Sequence, residues 1–232
     1  MKKAGGYLLA LISAGGSAAA AESFALPNGA LELIIASGVI GYIICAMSVV
    51  AVAVIIDAYM ATRQERLLPA GVLQNIESCL DEGDYNGALV ACQQDNSMLA
   101  RVVASGVGKI NYGFERMVEA AEEERVAQEA RLEQKLGLIN IIAIAAPSLG
   151  LLGTVAGMVS AFGTMAAQGG SADASTLAGG IYVALMTTLE GLVVSIPAAA
   201  AFSVLRGRVV RILAMMTIIN GEILDRFRQP GG

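Results

Sequence analysis

Apolar positions run unbroken along parts of this chain and then stop. No charge falls between Leu33 and Ile56, a run of 24 residues. A second uncharged run, Leu136 to Ala172, is 37 residues long. Ala174 to Leu205, 32 residues, holds one charge, Glu190. A helix that crosses a bilayer needs roughly 20 apolar residues, so each block can cross once. The second block has the length for two short spans. Its polar break, Gln168-Gly169-Gly170-Ser171, lies near its end, so one long helix is the better reading. The pattern predicts spans over 31–57, 137–167 and 175–205. The loop over 168–174 makes the last two an antiparallel hairpin.

Between the first two blocks the pattern changes. Asp57 to Lys135 carries 22 charges in 79 residues, about the density of a soluble domain. Pro69-Ala70-Gly71 is expected to break the helix of span one. Val72, Ile76 and Leu80 then recur at helical spacing, and Asp81-Glu82-Gly83-Asp84 forms a turn. Ala88 to Cys92 is a second helical stretch, closed by Gln94-Asp95-Asn96-Ser97, and Met98 to Ile110 a third. Helices this short are not stable alone. They are expected to pack on one another and on a long helix that begins near Phe114. Glu115 to Leu136 has no Gly or Pro and is rich in good helix formers. Nothing stops that helix before the apolar block. Glu115 to Ala167 therefore reads as a single helix of about 50 residues, on the order of 80 Å long. Pro147 removes a hydrogen bond within it and predicts a kink, as does Pro197 in span three. Glu122-Glu123-Glu124 reads as a solvated face.

The fold expected is therefore an all-α integral membrane protein with three transmembrane helices. A helical cytoplasmic domain spans 58–136, a long helix continues from it into span two, and a cytoplasmic tail covers 206–232. Orientation rests on two signals. Met1-Lys2-Lys3, the apolar stretch Tyr7 to Ile12 and the run Ser17 to Ala21 have the form of a secretory signal peptide over 1–21. An uncleaved arm on the membrane is the alternative. Cleavage after Ala21 leaves a short periplasmic segment, 22–30. Of 15 Lys and Arg, eight lie between spans one and two and five after Leu205, with none from Glu22 to Ile56 or from Leu136 to Leu205. Both signals place the charged domain and the tail in the cytoplasm of an inner-membrane protein.

Composition then removes chemistry. The chain has no His and no Trp. That excludes His-dependent nucleophile systems, His-ligated zinc and His-held haem. There is no Ser-Lys or paired intramembrane Asp arrangement, so an enzyme is not expected, nor a cofactor. The net charge is −5 with no basic stripe, so nucleic acid is not an expected partner. Cys45, Cys79 and Cys92 have no metal or CxxC spacing and read as buried or free thiols.

What chemistry remains lies in spans two and three. Gly150, Gly153, Gly157 and Ala161 recur on close turns of span two, with Gly153 and Gly157 forming a GxxxG. Such residues let helix backbones approach closely. Glu190 lies about midway along span three. An ionisable group there costs a few kcal/mol and is by default a candidate for an ion pathway. The alternative is a neutral Glu that hydrogen-bonds a hydroxyl on span two.

The run Ala146 to Phe162, with Thr154 after Gly153, and the later Ala184-Leu185-x-Thr187-Thr188-x-x-Gly191-Leu192-x-x-x-Ile196-Pro197-Ala198 resemble the MotA/TolQ/ExbB proton-channel family. The resemblance covers roughly Leu31 to Arg211. Three spans without a large periplasmic domain make the chain more similar to the ExbB branch than to four-span MotA. The resemblance implies a motor subunit in a homo-oligomer, a pentamer, set in membrane lipid. Spans two and three would line a pore around an ExbD-like single-span partner, which works through a TonB-like protein. By motif, Thr154 and Thr188 match the family's polar pore positions, and Pro147 and Pro197 its prolines. Gly150, Gly153, Gly157 and Gly191 fall at packing positions. One departure stands out. Many relatives carry Glu four residues before the first Thr of the Thr-Thr step, where this chain has Val183. Glu190 is seven residues on, about 20° short of two full turns and about 10 Å along the same face. The acid is expected to have moved along one face. Thr187 shares that face with Glu190 better than Thr188 does. The sequence leaves other readings open: a TolQ-type envelope-maintenance subunit, a motility stator, or a non-conducting scaffold.

Overall fold

A computed structural model describes residues 38–168 and 174–227. The signal-peptide segment 1–21, the segment 22–30, the start of span one and most of the 168–174 loop lie outside the described residues. The described residues form helices and turns, with no strand among them. They are α1 (Gly38–Ala61), α2 (Gln64–Leu67), α3 (Ala70–Asp81), α4 (Tyr85–Gln94), α5 (Met98–Val107), α6 (Phe114–Ala167) and α7 (Ala174–Asp225). A short 3-10 turn, Ile110–Tyr112, precedes α6. Three helices, α1, α6 and α7, are long and apolar enough to cross a membrane. The chain is thus an all-α membrane protein.

The helix over α6 is continuous for 54 residues, through Pro147, from the charged region into the apolar block. The last helix is equally uninterrupted. α7 runs 52 residues through Pro197, so the basic tail is the far half of the helix that forms span three.

Two short-range expectations differ from what is seen. α1 ends at Ala61, before Pro69. The buried Thr62 donates its hydroxyl to the Ala58 carbonyl at 2.8 Å, and Arg63 turns extended at φ −68°, ψ 128°. Pro69 instead precedes α3 as its N-cap, at φ −67°. A helix entry has free N–H groups, so a residue without one loses nothing there. The third short helix stops at Val107 rather than at Ile110. Gly108 ends it, and Gly113, at φ 94°, turns the chain into α6. That left-handed backbone favours glycine.

The short helices are capped by their own side chains. Asp84 accepts from the Gly87 N–H at 2.9 Å at the start of α4. Ser97 accepts from the Ala100 N–H at 3.2 Å at the start of α5. Such caps satisfy donors that the first turn leaves open. α5 is the centre of the domain: Met98, Leu99, Ala100, Val102, Val103, Gly106 and Val107 are all buried. It packs on Met117 and Ala121 of α6 and on Met216, Ile223 and Leu224 of α7 within one apolar core. Ser105 ties α5 to α6, donating to the Ala120 carbonyl at 3.0 Å.

Polar contacts fasten the edges. Arg226, at the end of α7, meets Asp81 of α3 at 2.5 Å, and the Tyr85 and Phe227 rings lie 5.1 Å apart. Lys135 of α6 pairs with Asp57 of α1 at 2.9 Å. Lys135 is the last charge before the long apolar run of α6, so this pair sits at the edge of the apolar zone. On the solvated part of α6, Arg125 bridges Glu122 at 2.7 Å and Glu129 at 3.0 Å. The hydrogen bond from Arg125 holds the Glu122 carboxyl below the usual carboxylate range and pushes the guanidinium's own pKa up. Burial pushes the Cys92 thiol up to about 11.

Candidate functional site: the seam between the last two helices

The membrane halves of α6 and α7 pack antiparallel along a line of small residues. On α6 the line is Ala146, Gly150, Gly153, Gly157 and Ala161; on α7 it is Gly191, Thr187, Ala184 and Gly180. They meet in order. A methyl group added at Gly180 would lie 2.6 Å from the Ala161 Cβ, and one at Gly157 2.9 Å from the Ala184 Cβ. One at Gly153 would lie 2.6 Å from the Thr187 Cβ. One at Gly150 would lie 2.9 Å from the Thr188 Cα, and one at Gly191 2.6 Å from the Ala146 carbonyl oxygen. Carbon atoms attract best at about 3.5–4.0 Å, so none of these positions has room for a side chain. The absence of side chains sets the interhelix distance.

That closeness opens a backbone carbonyl to the neighbouring helix. The Thr188 hydroxyl donates to the Gly150 carbonyl at 3.1 Å. The Thr187 hydroxyl, 1% exposed as a residue, donates to Ala184 of its own helix at 2.7 Å and reaches the same Gly150 oxygen at 3.4 Å. A Cβ at position 150 would lie 2.9 Å from the Thr187 carbonyl oxygen and from the Thr188 Cα, so the helices could not come this close. The polar content of the seam therefore depends on its glycines.

The structure gathers Thr187, Thr188, Gly150, Gly153, Gly157 and Gly191 into this one seam. Thr154 is half-buried and turns its hydroxyl to the Leu151 carbonyl of its own helix at 2.7 Å. Glu190 is half-buried on α7, with its Oε2 atom buried. It comes three residues after Thr187 and adjoins Gly191, so it flanks the seam. Sequence reasoning missed Gly180 and Ala184 as contact residues. Their signal was present: small residues at 180, 184, 187 and 191 keep the spacing of one helix face. It also missed the Gly150 carbonyl as an acceptor, which no side-chain pattern announces. Among the described residues no group of three or more His, Cys, Asp or Glu is placed to hold a metal ion.

Away from the seam the same helices are covered in large apolar side chains. Leu151, Leu152, Val159 and Phe162 on α6, and Leu185, Val193 and Ile196 on α7, are exposed. This is the inside-out arrangement of a membrane segment, small groups within and large apolar groups toward lipid or neighbouring helices.

Known proteins share this region. Residues 94–218, which include both halves of the seam, match the family model described as the MotA/TolQ/ExbB proton channel family. A putative biopolymer transport protein ExbB homolog of Methanothermobacter thermautotrophicus is 30% identical over 77% of this chain, and the match covers 63% of that relative's length. A putative biopolymer transport protein ExbB-like 3 of Synechocystis is 28% identical over 81% of this chain and 90% of its own. The biopolymer transport protein ExbB of Helicobacter pylori is 40% identical over 31% of this chain and 49% of its own. With more than half its length matched by the family model, and a hairpin built on that matched region, the chain belongs to the MotA/TolQ/ExbB proton channel family.

Proposed function

We propose that this chain is the channel subunit of a proton-driven motor in the bacterial inner membrane. Five copies surround an ExbD-like single-span partner, and proton flow drives work passed to a TonB-like protein for outer-membrane transport. The observation that carries this reading is the α6–α7 hairpin. Two hydroxyls and a bared carbonyl converge at Gly150, and Glu190 is the one charge in the apolar stretch of α7 from Ala174 to Leu205. The relatives' names, which describe biopolymer transport, point the same way.

Glu190 takes the proton-handling role in this reading. It can take up a proton where water reaches it and give it up to a partner's acid. Thr154, Thr187 and Thr188 supply hydroxyls along the path, Pro147 and Pro197 each leave one carbonyl without its helical donor, and the glycines hold the walls together. The positive-inside distribution of Lys and Arg supports a cytoplasmic position for residues 58–136 and for the far half of α7.

The test is proton flux into liposomes holding the full chain with an ExbD-like single-span protein. Glu190→Gln is expected to reduce flux about tenfold or more, because an amide does not exchange a proton in this range. The oligomer should keep its size in detergent. Undiminished flux from Glu190→Gln removes Glu190 from the pathway. Absence of flux from the wild-type pair favours the scaffold reading.

A further inference from the structure

We propose that the chain binds an anionic phospholipid, through its phosphate, in a cavity between the end of α1 and the far half of α7. The cavity has a volume of about 710 Å³ and is lined by Arg63, Glu65, Pro69, Arg208 and Arg211, among others. Three guanidinium groups and one carboxylate leave it net positive. Arg63 and Arg208 come from different parts of the chain and both lie against the Tyr59 ring, at 6.0 and 4.9 Å from its centroid. Like charges are thus held together around one aromatic side chain. Among the described residues, the ion pairs use Arg116, Arg125, Lys135 and Arg226, and none involves Arg63, Arg208 or Arg211. An anion bound between them would offset their repulsion, and a guanidinium fork matches two oxygens of a phosphate.

A lipid fits better than free phosphate because of what adjoins the arginines on each side. Along α1 and just past its end, Val52, Ile56, Tyr59 and Arg63 are spaced four, three and four residues apart, so they form one stripe. Val52 and Ile56 are exposed. On α7, Val193, Pro197, Val204, Arg208 and Arg211 keep the same periodicity, with Val193 and Val204 exposed. Each stripe passes from bare apolar side chains to guanidinium within a few turns. An acyl chain would lie on the first part and a phosphate reach the second. The height agrees: the Asp57–Lys135 pair marks the edge of the apolar zone shortly before Arg63. Tyrosine is also enriched at headgroup level.

The test uses the intact chain in mild detergent, with native mass spectrometry reading bound dioctanoyl phosphatidylglycerol. Wild-type protein is expected to retain it, and to retain dioctanoyl phosphatidylcholine more weakly. Arg208→Gln/Arg211→Gln should weaken retention about tenfold or more, and the corresponding Lys pair should restore part of it. Glu65→Gln removes the carboxylate from an exposed position and should raise retention without disturbing the fold. Phosphatidylglycerol retention that neither the Gln pair nor Glu65→Gln changes would overturn the site. Equal retention of both lipids, or displacement of phosphatidylglycerol by equimolar inorganic phosphate, would overturn the lipid assignment.

Discussion

The two halves of the α6–α7 pair are held together by different physics. In the membrane half, contact is made by Gly150, Gly153, Gly157, Gly180 and Gly191, and the large side chains point away. In the other half, Leu136, Leu205, Val209, Met216 and Ile223 are buried and the outer surface carries ion pairs. The reason is the solvent. In water, burying a large apolar side chain is favourable. In lipid that gain vanishes, and what remains is close packing and hydrogen bonding between backbones. One pair of helices thus changes its packing rule where the surrounding medium changes.

The largest expected effect tests the close-packed half. Gly191→Leu places a branched side chain against the Ala146 backbone, which cannot move aside. It should abolish recovery of folded protein on size exclusion in detergent. Gly163→Leu, where nothing lies within 4 Å, should leave recovery unchanged. Equal behaviour of the two would show that the seam does not hold the hairpin. The next effect belongs to the aqueous half. Leu99, 0% exposed, should cost about 2–5 kcal/mol on change to Ala, measured by chemical denaturation. Leu151→Ala in the membrane half, 63% exposed, should cost the hairpin little by the same measurement. Smaller still is Thr187→Val, which keeps the shape and deletes the hydroxyl. Interhelical hydrogen bonds in membranes average about 0.6 kcal/mol, so a shift larger than about 2 kcal/mol in unfolding would mean that the seam is chiefly polar.

The smallest effects concern protons in the aqueous half. The Glu122 carboxyl sits below its unfolded value because Arg125 donates to it. Its contribution is complete above the unfolded value and is lost as pH falls through the folded one. The pair is solvent-screened, so Arg125→Gln should lower thermal stability only slightly near neutral pH, and by less still in acid, where Glu122 is protonated with or without its partner. For Cys92 the stability change falls on the alkaline side instead. Its thiol is raised from 9.0 to about 11, so its contribution is complete below 9.0 and declines as pH rises toward the folded value. Near neutral pH, Cys92 should react with maleimide far more slowly than the half-buried Cys79, by mass spectrometry of labelled peptides.

The same contrast explains what could be read in the sequence. The charged domain announces its helices through periodicity: Val72, Ile76 and Leu80 fall in α3, and Met98 opens α5. The continuity of α6 is legible in the absence of any breaker between Glu115 and Leu136. The seam is harder. A span that is apolar on every side has no amphipathic stripe, so hydropathy does not identify its inner face. Residue size does, which is why the GxxxG of span two is visible while Gly180 and Ala184 are easily passed over. The end of α1 is obscured by Pro69, which reads as the stop. The chain leaves the helix where Arg63 turns extended, and an arginine carries no punctuation that the sequence shows.

Continuity of α6 and α7 across the membrane boundary has a mechanical consequence. Neither helix has a loop at the level of the Lys135–Asp57 pair, so there is no joint to absorb a movement made on one side. A rod about 80 Å long that tilts by about one degree carries its far end about 1.4 Å. A tilt of α7 beyond Pro197 is therefore delivered to the contacts at its far end, Arg226 on Asp81 and Phe227 on Tyr85. Pro147 and Pro197, each inside the apolar stretch, are the points where the rods have a hydrogen bond fewer and bend most readily. The molecule is stiff at the water boundary and compliant within the membrane.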